Sequence, residues 1–556
     1  MVFPQGFGKN KVQYRNFDWK YLQSEHFDVY YYGGEKRLAE FVADVAESSY
    51  VSMKKDFRYE IQKRIPILVY NSHNDFEQTN VVYSMIEESV GGFTEIFKDR
   101  IVIPFQGNYE EFRHVIHHEL THAVTFQMLY GKGMGSMVTS MVRFQVPLWL
   151  MEGLAEYESL GWDTDSDMYM RDATLNGYFP PISQLYGAWA YKGGQSVLNY
   201  IAEKYGGPKI GEVLGKIRAH RSVDQGLKQS IGLDLEELSE RWHKYLRKTY
   251  WPDIEERDEP EDMAKRLTDH AKAKHFLNNS PALSPQGDKL VYISNRSDFF
   301  DIYLMSVIDG KNLGRLVKGE RSELFEELHW LRPGMGWSPD GKQIVFTAKA
   351  GDRDALYILD VEKRSIVGSY TFDLDGLFSP SWSPDGERIA FMGMKGGQSD
   401  IYVFGLVDEK LRKLTDDIFS DLDPTWSPRG DEIAFVSDRG DYTGQSDEGF
   451  RIQNYDYSRY DLYTLNVQTL EMTRHTADEA NEQSPAFSPE GDKIAFVSDR
   501  NGISNIFILN RANEETYPIT NLLTGVSQIS WSREGSRLAF ASLYNGGWDI
   551  YLLNNP

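Results

Sequence analysis

No cysteine occurs in the 556 residues, so disulfides, thiolate metal ligands and a cysteine nucleophile are excluded together. Positive charge is scarce: 60 Lys and Arg against 83 Asp and Glu give a net charge of −23. A polyanion would meet mainly repulsion, which sets nucleic acid aside as a partner. Long apolar runs are missing as well. No stretch approaches the roughly 18 consecutive apolar residues that read as a bilayer span. The opening MVFPQGFGKNKVQYRNFDWK also lacks the apolar core of a signal peptide. Two expectations for location remain, a cytoplasmic protein or a mature chain whose export signal has been removed.

What is present has the balance of a globular protein, 41% hydrophobic and 13% aromatic, at a length that calls for two or more domains. The first 250 residues mix helical and strand periods. HFDVYYY (26 to 32), RIPILVY (64 to 70) and DRIVIPF (99 to 105) read as strands. KRLAEFVADVAESSYVSMKKDF (36 to 57), GGQSVLNYIAEKYG (193 to 206) and DLEELSERWHKYLRKTYW (234 to 251) read as helices, the last capped by Asp234. The acidic, proline-punctuated PDIEERDEPED that follows shows no periodicity and is read, over 251 to 262, as a linker.

From residue 263 the chain repeats itself. Turns of one kind recur as SPQGDK at 284, SPDGKQ at 338, SPDGER at 383, SPRGDE at 427, SPEGDK at 488 and SREGSR at 532. Each precedes apolar strands such as IAFVSD and NIFILN, and the underlying period is about 44 residues, that of a β-propeller blade. Six turns predict six blades over 263 to 556. The segment KRLTDH (265 to 270) matches the outer-strand segments RKLTDD and TYPITN and is expected to complete the last blade, closing the ring. The Asp-Gly pairs are read as turn chemistry rather than calcium ligands. The insertion at 440 to 460 is expected to project as a loop, open to partner binding or to no role at all.

The chemistry is concentrated in RHVIHHELTHAV (113 to 124), where His118, Glu119 and His122 form H-E-x-x-H. On a helix, residues four apart share a face, so the two imidazoles can hold one ion, with Glu119 directed to a water that the ion would activate. A third ligand must come from elsewhere. Thr125 and Met128 occupy the positions where a histidine-terminated motif would need glycine and histidine, which excludes that class. A second helix in VPLWLMEGLAEYES (146 to 159) offers Glu152 and Glu156 on one face of an otherwise apolar surface.

H-E-L-T-H followed by W-L-M-E-G-L-A-E-Y resembles the glutamate-ligand zinc metallopeptidases, the thermolysin-like and aminopeptidase-like superfamily. The resemblance spans roughly 26 to 250. It implies an α+β zincin-like domain, Zn2+ bound by His118, His122 and Glu152, and Glu119 as general base. AYKGGQ (190 to 195) resembles the Y-x-x-G segment of the aminopeptidase branch, which implies that Tyr191 stabilises the oxyanion. Glu156, His114 and His117 are read as supporting residues. The G-x-M-E-N segment that anchors a free amino terminus in that branch is not matched by GGFTEIF (91 to 97), Glu95 included, so an endopeptidase is expected over an aminopeptidase. DRIVIPF is expected to be the sheet edge on which an extended substrate pairs.

The repeats resemble the WD-like repeats of TolB-type propellers, which belong to cell-envelope complexes. This implies a periplasmic or secreted bacterial protein with a peptide or protein substrate and a cell-envelope partner at the propeller. The propeller would gate entry, bind the substrate or dock the enzyme. The alternative is an envelope assembly scaffold in which the propeller does the work and the peptidase-like domain is inactive.

Overall fold

The computed structural model describes residues 13–34, 36–79, 86–95, 98, 100–131, 141, 144–319, 324, 326–332, 334–443 and 450–556. Residues 96, 97, 99 and 444–449, on which parts of the readings above fall, lie outside them.

The N-terminal half is built on a five-stranded sheet of β1 (Trp19–Gln23), β2 (Phe27–Tyr32), β3 (Ile65–Tyr70), β4 (Phe93–Glu95) and β5 (Arg100–Pro104), in the order β1-β2-β3-β5-β4. β2, β3 and β5 are parallel; β1 and β4 close the two edges in antiparallel register. The period-two pattern buries Phe27, Val29, Ile65, Ile67 and Val69 completely. Helix α1 (Lys36–Phe57) covers that face with Phe41, Val45, Tyr50 and Met53, spaced at helical intervals. A short α2 (His73–Phe76) follows β3. Next come α3 (Tyr109–Tyr130), α4 (Leu148–Leu160), α5 (Thr164–Leu175) and α6 (Ala188–Tyr205). Farther on, Leu235–Tyr250 forms the predicted helix, with Asp234 and Glu237 making a reciprocal capping box.

Two expectations are corrected here. The DRIVIPF strand is not an edge: β5 is paired on both sides, by β3 and by β4, so among the described residues β4 is the edge strand on that side. The helix read from residue 193 begins at Ala188, which places Tyr191 on it.

The C-terminal half is a ring of six antiparallel sheets, five of four strands and one of five. Lys265–Arg266 pairs with Tyr551 and Leu552 of the last strand, so the chain's early segment forms the outer strand of the last sheet. In all six turns the Ser hydroxyl accepts from the backbone N–H five residues on, at 2.9 to 3.2 Å. The turn glycine takes a positive φ, from 67° at Gly287 to 88° at Gly535. The repeat is thus accounted for by turn geometry.

The stretch from 251 to 262 is ordered rather than irregular. It forms a 3-10 turn (Trp251–Glu255) and a short helix (Pro260–Met263), Asp253 pairs with Arg171 at 2.8 Å, and Asp258 bridges to Leu522. The insertion at 440 to 460 also differs from expectation. Its described part lies against the N-terminal half, with Tyr457 packed 5.4 Å from Phe41 and Gln453 donating to Asp44 at 2.9 Å. Elsewhere between the halves, His329 lies 3.0 Å from Glu88 and 3.1 Å from Asp354, and Asn74 donates to Asp354 at 2.9 Å. The N–H groups of Asn545 and Gly546 both donate to Asp172 at 2.8 Å.

Candidate active site

Helix α3 starts on Asn108, whose side chain accepts from Glu111 N, and ends at Gly131. His118 and His122 fall one turn apart on the face that meets α4. Helix α4 begins after Pro147 and brings Glu152 opposite them. His122 Nε2 lies 3.1 Å from His118 Nε2 and 3.1 Å from Glu152 Oε2; His118 Nε2 lies 3.5 Å from the same oxygen. Ligand atoms placed tetrahedrally about 2.0–2.1 Å from an ion stand roughly 3.3 Å apart. The three atoms therefore fit zinc in both spacing and chemistry.

The electrostatics point the same way. Burial works against a proton on His118, but Glu152 and Glu156 override it and raise its pKa to about 10. Burial likewise disfavours charge on Glu152, but His118 and His122 lower its pKa to about 2. Such a field holds positive charge.

The remaining histidines divide cleanly. Burial pushes His114 down to about 4 and His117 to about 3, so both are neutral at pH 7. His114, His118 and Glu156 make a second group of ligand-capable atoms among the described residues. It shares His118 through Nδ1, which lies 3.0 Å from Glu156 Oε1. The contact is one of charge only, since His118 Nδ1 makes no hydrogen bond, and Glu156 acts on the ring through its carboxylate field. Glu156 also faces Lys192, at 3.9 Å, whose ammonium pairs with Asp165 at 2.8 Å.

Glu119 is buried, and Thr94 of β4 donates its hydroxyl to the Glu119 carboxylate at 2.7 Å and to its carbonyl at 2.9 Å. Tyr191 lies over His118, rings nearly parallel with centroids 6.1 Å apart. Burial, then the charges of Glu152 and Glu119, push its pKa above the ordinary phenol range, so it keeps its proton as a donor. It reaches this place because α4 and α6 touch at glycine. A Cβ on Gly194 would lie 2.1 Å from Trp149 O, and one on Gly153 would lie 2.3 Å from the Gly194 carbonyl carbon.

All five residues read from the sequence, His118, Glu119, His122, Glu152 and Tyr191, are thus brought together. Glu95 is not among them: Arg100 engages it at 2.6 Å and Lys98 at 3.1 Å. Thr94, Lys192 and the glycine contact were not anticipated. The glycines do follow directly on motif residues, in M-E-G and Y-K-G-G.

Two cavities flank the site and share His118, Glu119 and Tyr191 as walls. One, of about 450 Å³, runs along Phe93 and Thr94 of the β4 edge toward Phe126. The other, of about 1060 Å³, runs between Val115 and Lys192 to the propeller.

The class this defines is a Peptidase MA-type domain followed by a six-bladed propeller of TolB type. Residues 45–248 match the family model of the Peptidase MA superfamily, and residues 328–447 match that of the TolB beta propeller domain. Among solved structures the chain is similar to a TolB-assigned protein from Agrobacterium tumefaciens, with 20% identity over 50% of this chain and 91% of that one and a TM-score of 0.36. It is also similar to TolB from Acinetobacter baumannii, at 19% identity over 49% of this chain and 62% of that one, TM-score 0.33. A third is an oligogalacturonate lyase from Vibrio parahaemolyticus, at 12% identity over 52% and 93%, TM-score 0.37. No curated protein matches the chain. No helix of the described residues is long and apolar enough to cross a membrane.

Proposed function

We propose that the chain is a zinc-dependent endopeptidase, with residues 1–250 as the catalytic unit, 251–262 as the connection and 263–556 as the propeller. The observation that carries this reading is the triangle of His118 Nε2, His122 Nε2 and Glu152 Oε2, with edges of 3.1, 3.1 and 3.5 Å. His118, His122 and Glu152 would hold the zinc, which would supply a Lewis acid for the scissile carbonyl and lower the pKa of a water. Glu119, held by Thr94, takes a proton from the attacking water and passes it to the leaving amine. Tyr191 donates its phenolic proton to the oxygen that gains charge. An extended substrate pairs with the free edge of β4, which borders the site through Phe93 and Thr94. The ion pairs of Glu95 with Arg100 and Lys98 leave it unable to anchor a free amino terminus, which favours internal cleavage.

The same reading places the protein in the bacterial cell envelope, periplasmic or secreted, with the propeller binding or gating a polypeptide. An assembly scaffold is the alternative. Strands that meander antiparallel put the six glycine turns at the propeller end away from the peptidase half, and that end holds an axial cavity of about 390 Å³. The two readings part on zinc content and on cleavage of a broad peptide panel with and without a chelator. Chelator-sensitive cleavage supports the peptidase; bound zinc without any cleavage supports the scaffold.

A further inference from the structure

The larger of the two flanking cavities is not made by the peptidase half alone. Its far wall is Phe276, Leu277, Trp330, Leu331, Leu543 and Trp548, all from the propeller, facing Val115, His118, Glu119 and Tyr191 across about 1060 Å³. These six come from three connections at one end of the ring: the entries to the first and second sheets and the hairpin of the last. Two of them keep much of their surface uncovered, Phe276 at 53% and Leu331 at 45% exposure. Apolar side chains grouped around a cavity that opens on reactive groups mark a ligand surface.

The wall is fixed in place from both halves. Glu88 accepts from Trp330 N at 2.9 Å and from Leu331 N at 3.4 Å. Trp330 stacks on Phe300 at 4.6 Å, and its carbonyl accepts from Asn279 at 2.6 Å. On the other flank, Trp548 Nε1 donates to Tyr169 at 3.1 Å, and Trp548 N donates to Phe276 O at 2.8 Å. The Trp548 indole N–H and the Trp330 backbone are thus satisfied within the protein, and one face of the Trp330 ring is already covered by Phe300.

We infer that the propeller supplies the specificity pocket of the peptidase: Trp330, Leu331 and Phe276 receive a bulky apolar side chain, aromatic or branched aliphatic, next to the scissile bond. The inference rests on the peptidase reading and names its substrate class. The occupant is fixed by continuity. A chain lying along the β4 edge with its carbonyl between Glu119 and Tyr191 must send one flanking residue into the smaller cavity and the other under the propeller. The second space is wide enough for an indole or phenyl ring and offers it mainly apolar contact.

The test compares wild type, Trp330→Ala and Phe276→Ala on a mixed peptide library, reading cleavage sites by mass spectrometry, with Val407→Ala on the exposed rim as control. Wild type should enrich Phe, Tyr, Trp or Leu at one position beside the cut. Both wall variants should lower the kcat/KM preference for Phe over Ala there by roughly tenfold, the scale set by lost pocket contacts, while Val407→Ala leaves it unchanged. An enrichment that is polar, or that survives both wall variants, overturns the inference. If no peptide is cleaved, the peptidase reading fails separately, and equilibrium binding of an uncleaved Phe-containing peptide still decides. Weaker binding to both wall variants keeps the apolar site; equal binding to wild type and variants removes it.

Discussion

At the scale of single residues, the site depends on groups that hold the reactive ones still. Thr94 is the partner of the Glu119 carboxylate, and a hydrogen bond to a charged group contributes ~1.5–3 kcal/mol. Thr94→Ala is expected to lower kcat by roughly 10- to 100-fold at unchanged zinc content, and Thr94→Ser to restore most of it; metal analysis beside steady-state kinetics checks both. A second residue sets a pH dependence far from the site. Asp438 is buried, accepts from Ser420 N at 2.7 Å, and burial pushes its pKa up to about 8. In the unfolded chain it titrates near 3.9. Between these values the folded state keeps a proton that the unfolded state has lost, so stability falls as pH rises through this window. Asp438→Asn should therefore raise Tm at pH 8.5 and narrow the difference from pH 5; an unchanged difference in thermal scans contradicts this. His118 and His122 were legible because four-residue spacing on a helix is a geometric statement. Glu152 was legible only through its W-L-x-E-G surroundings. Thr94 was not, because a threonine on a three-residue edge strand acquires its partner only when the sheet meets α3.

At the scale of elements, the decisive contact is between α4 and α6. Gly153 and Gly194 let two backbones touch, and Tyr191 stands one turn before that contact. Gly194→Ala puts a methyl group into Trp149 O, and such overpacking costs about 1–3 kcal/mol. The expected result is a Tm lowered by a few degrees, with kcat falling more than KM changes as Tyr191 shifts from His118. A variant with wild-type Tm and kcat would show that the contact does not place the tyrosine. The helices and blades were readable from apolar periods and recurring turns, since both patterns are local. The pairing of β4 outside β5 was not, because strand order in a sheet is settled by long-range packing. The true start of α6 escaped for a different reason: Ala188 to Tyr191 are all apolar or aromatic, so they show no helical alternation that would extend the period backwards.

At the scale of the whole molecule, the two halves share buried polar contacts. His329 stands between Glu88 and Asp354, whose charges override burial and raise its pKa well above the usual value. Removing one partner of a buried ion pair costs about 3–5 kcal/mol. Glu88→Ala also leaves the Trp330 and Leu331 N–H groups without their acceptor. It should lower Tm and split a single calorimetric transition into two; one unshifted transition would show that the latch carries no load. None of this was legible in the sequence, where Glu88, His329 and Asp354 lie far apart and the 440 to 460 insertion read as a free loop. Docking turns a peptidase domain and a propeller into one cleft, and the central claim is that zinc-assisted hydrolysis happens in it. The most direct measurement is zinc content and peptide cleavage for wild type beside Glu119→Gln. The account predicts one bound zinc per chain in both and a loss of cleavage of roughly 10²–10⁴-fold in the variant. Cleavage undiminished in Glu119→Gln, or no zinc in either protein, would contradict it.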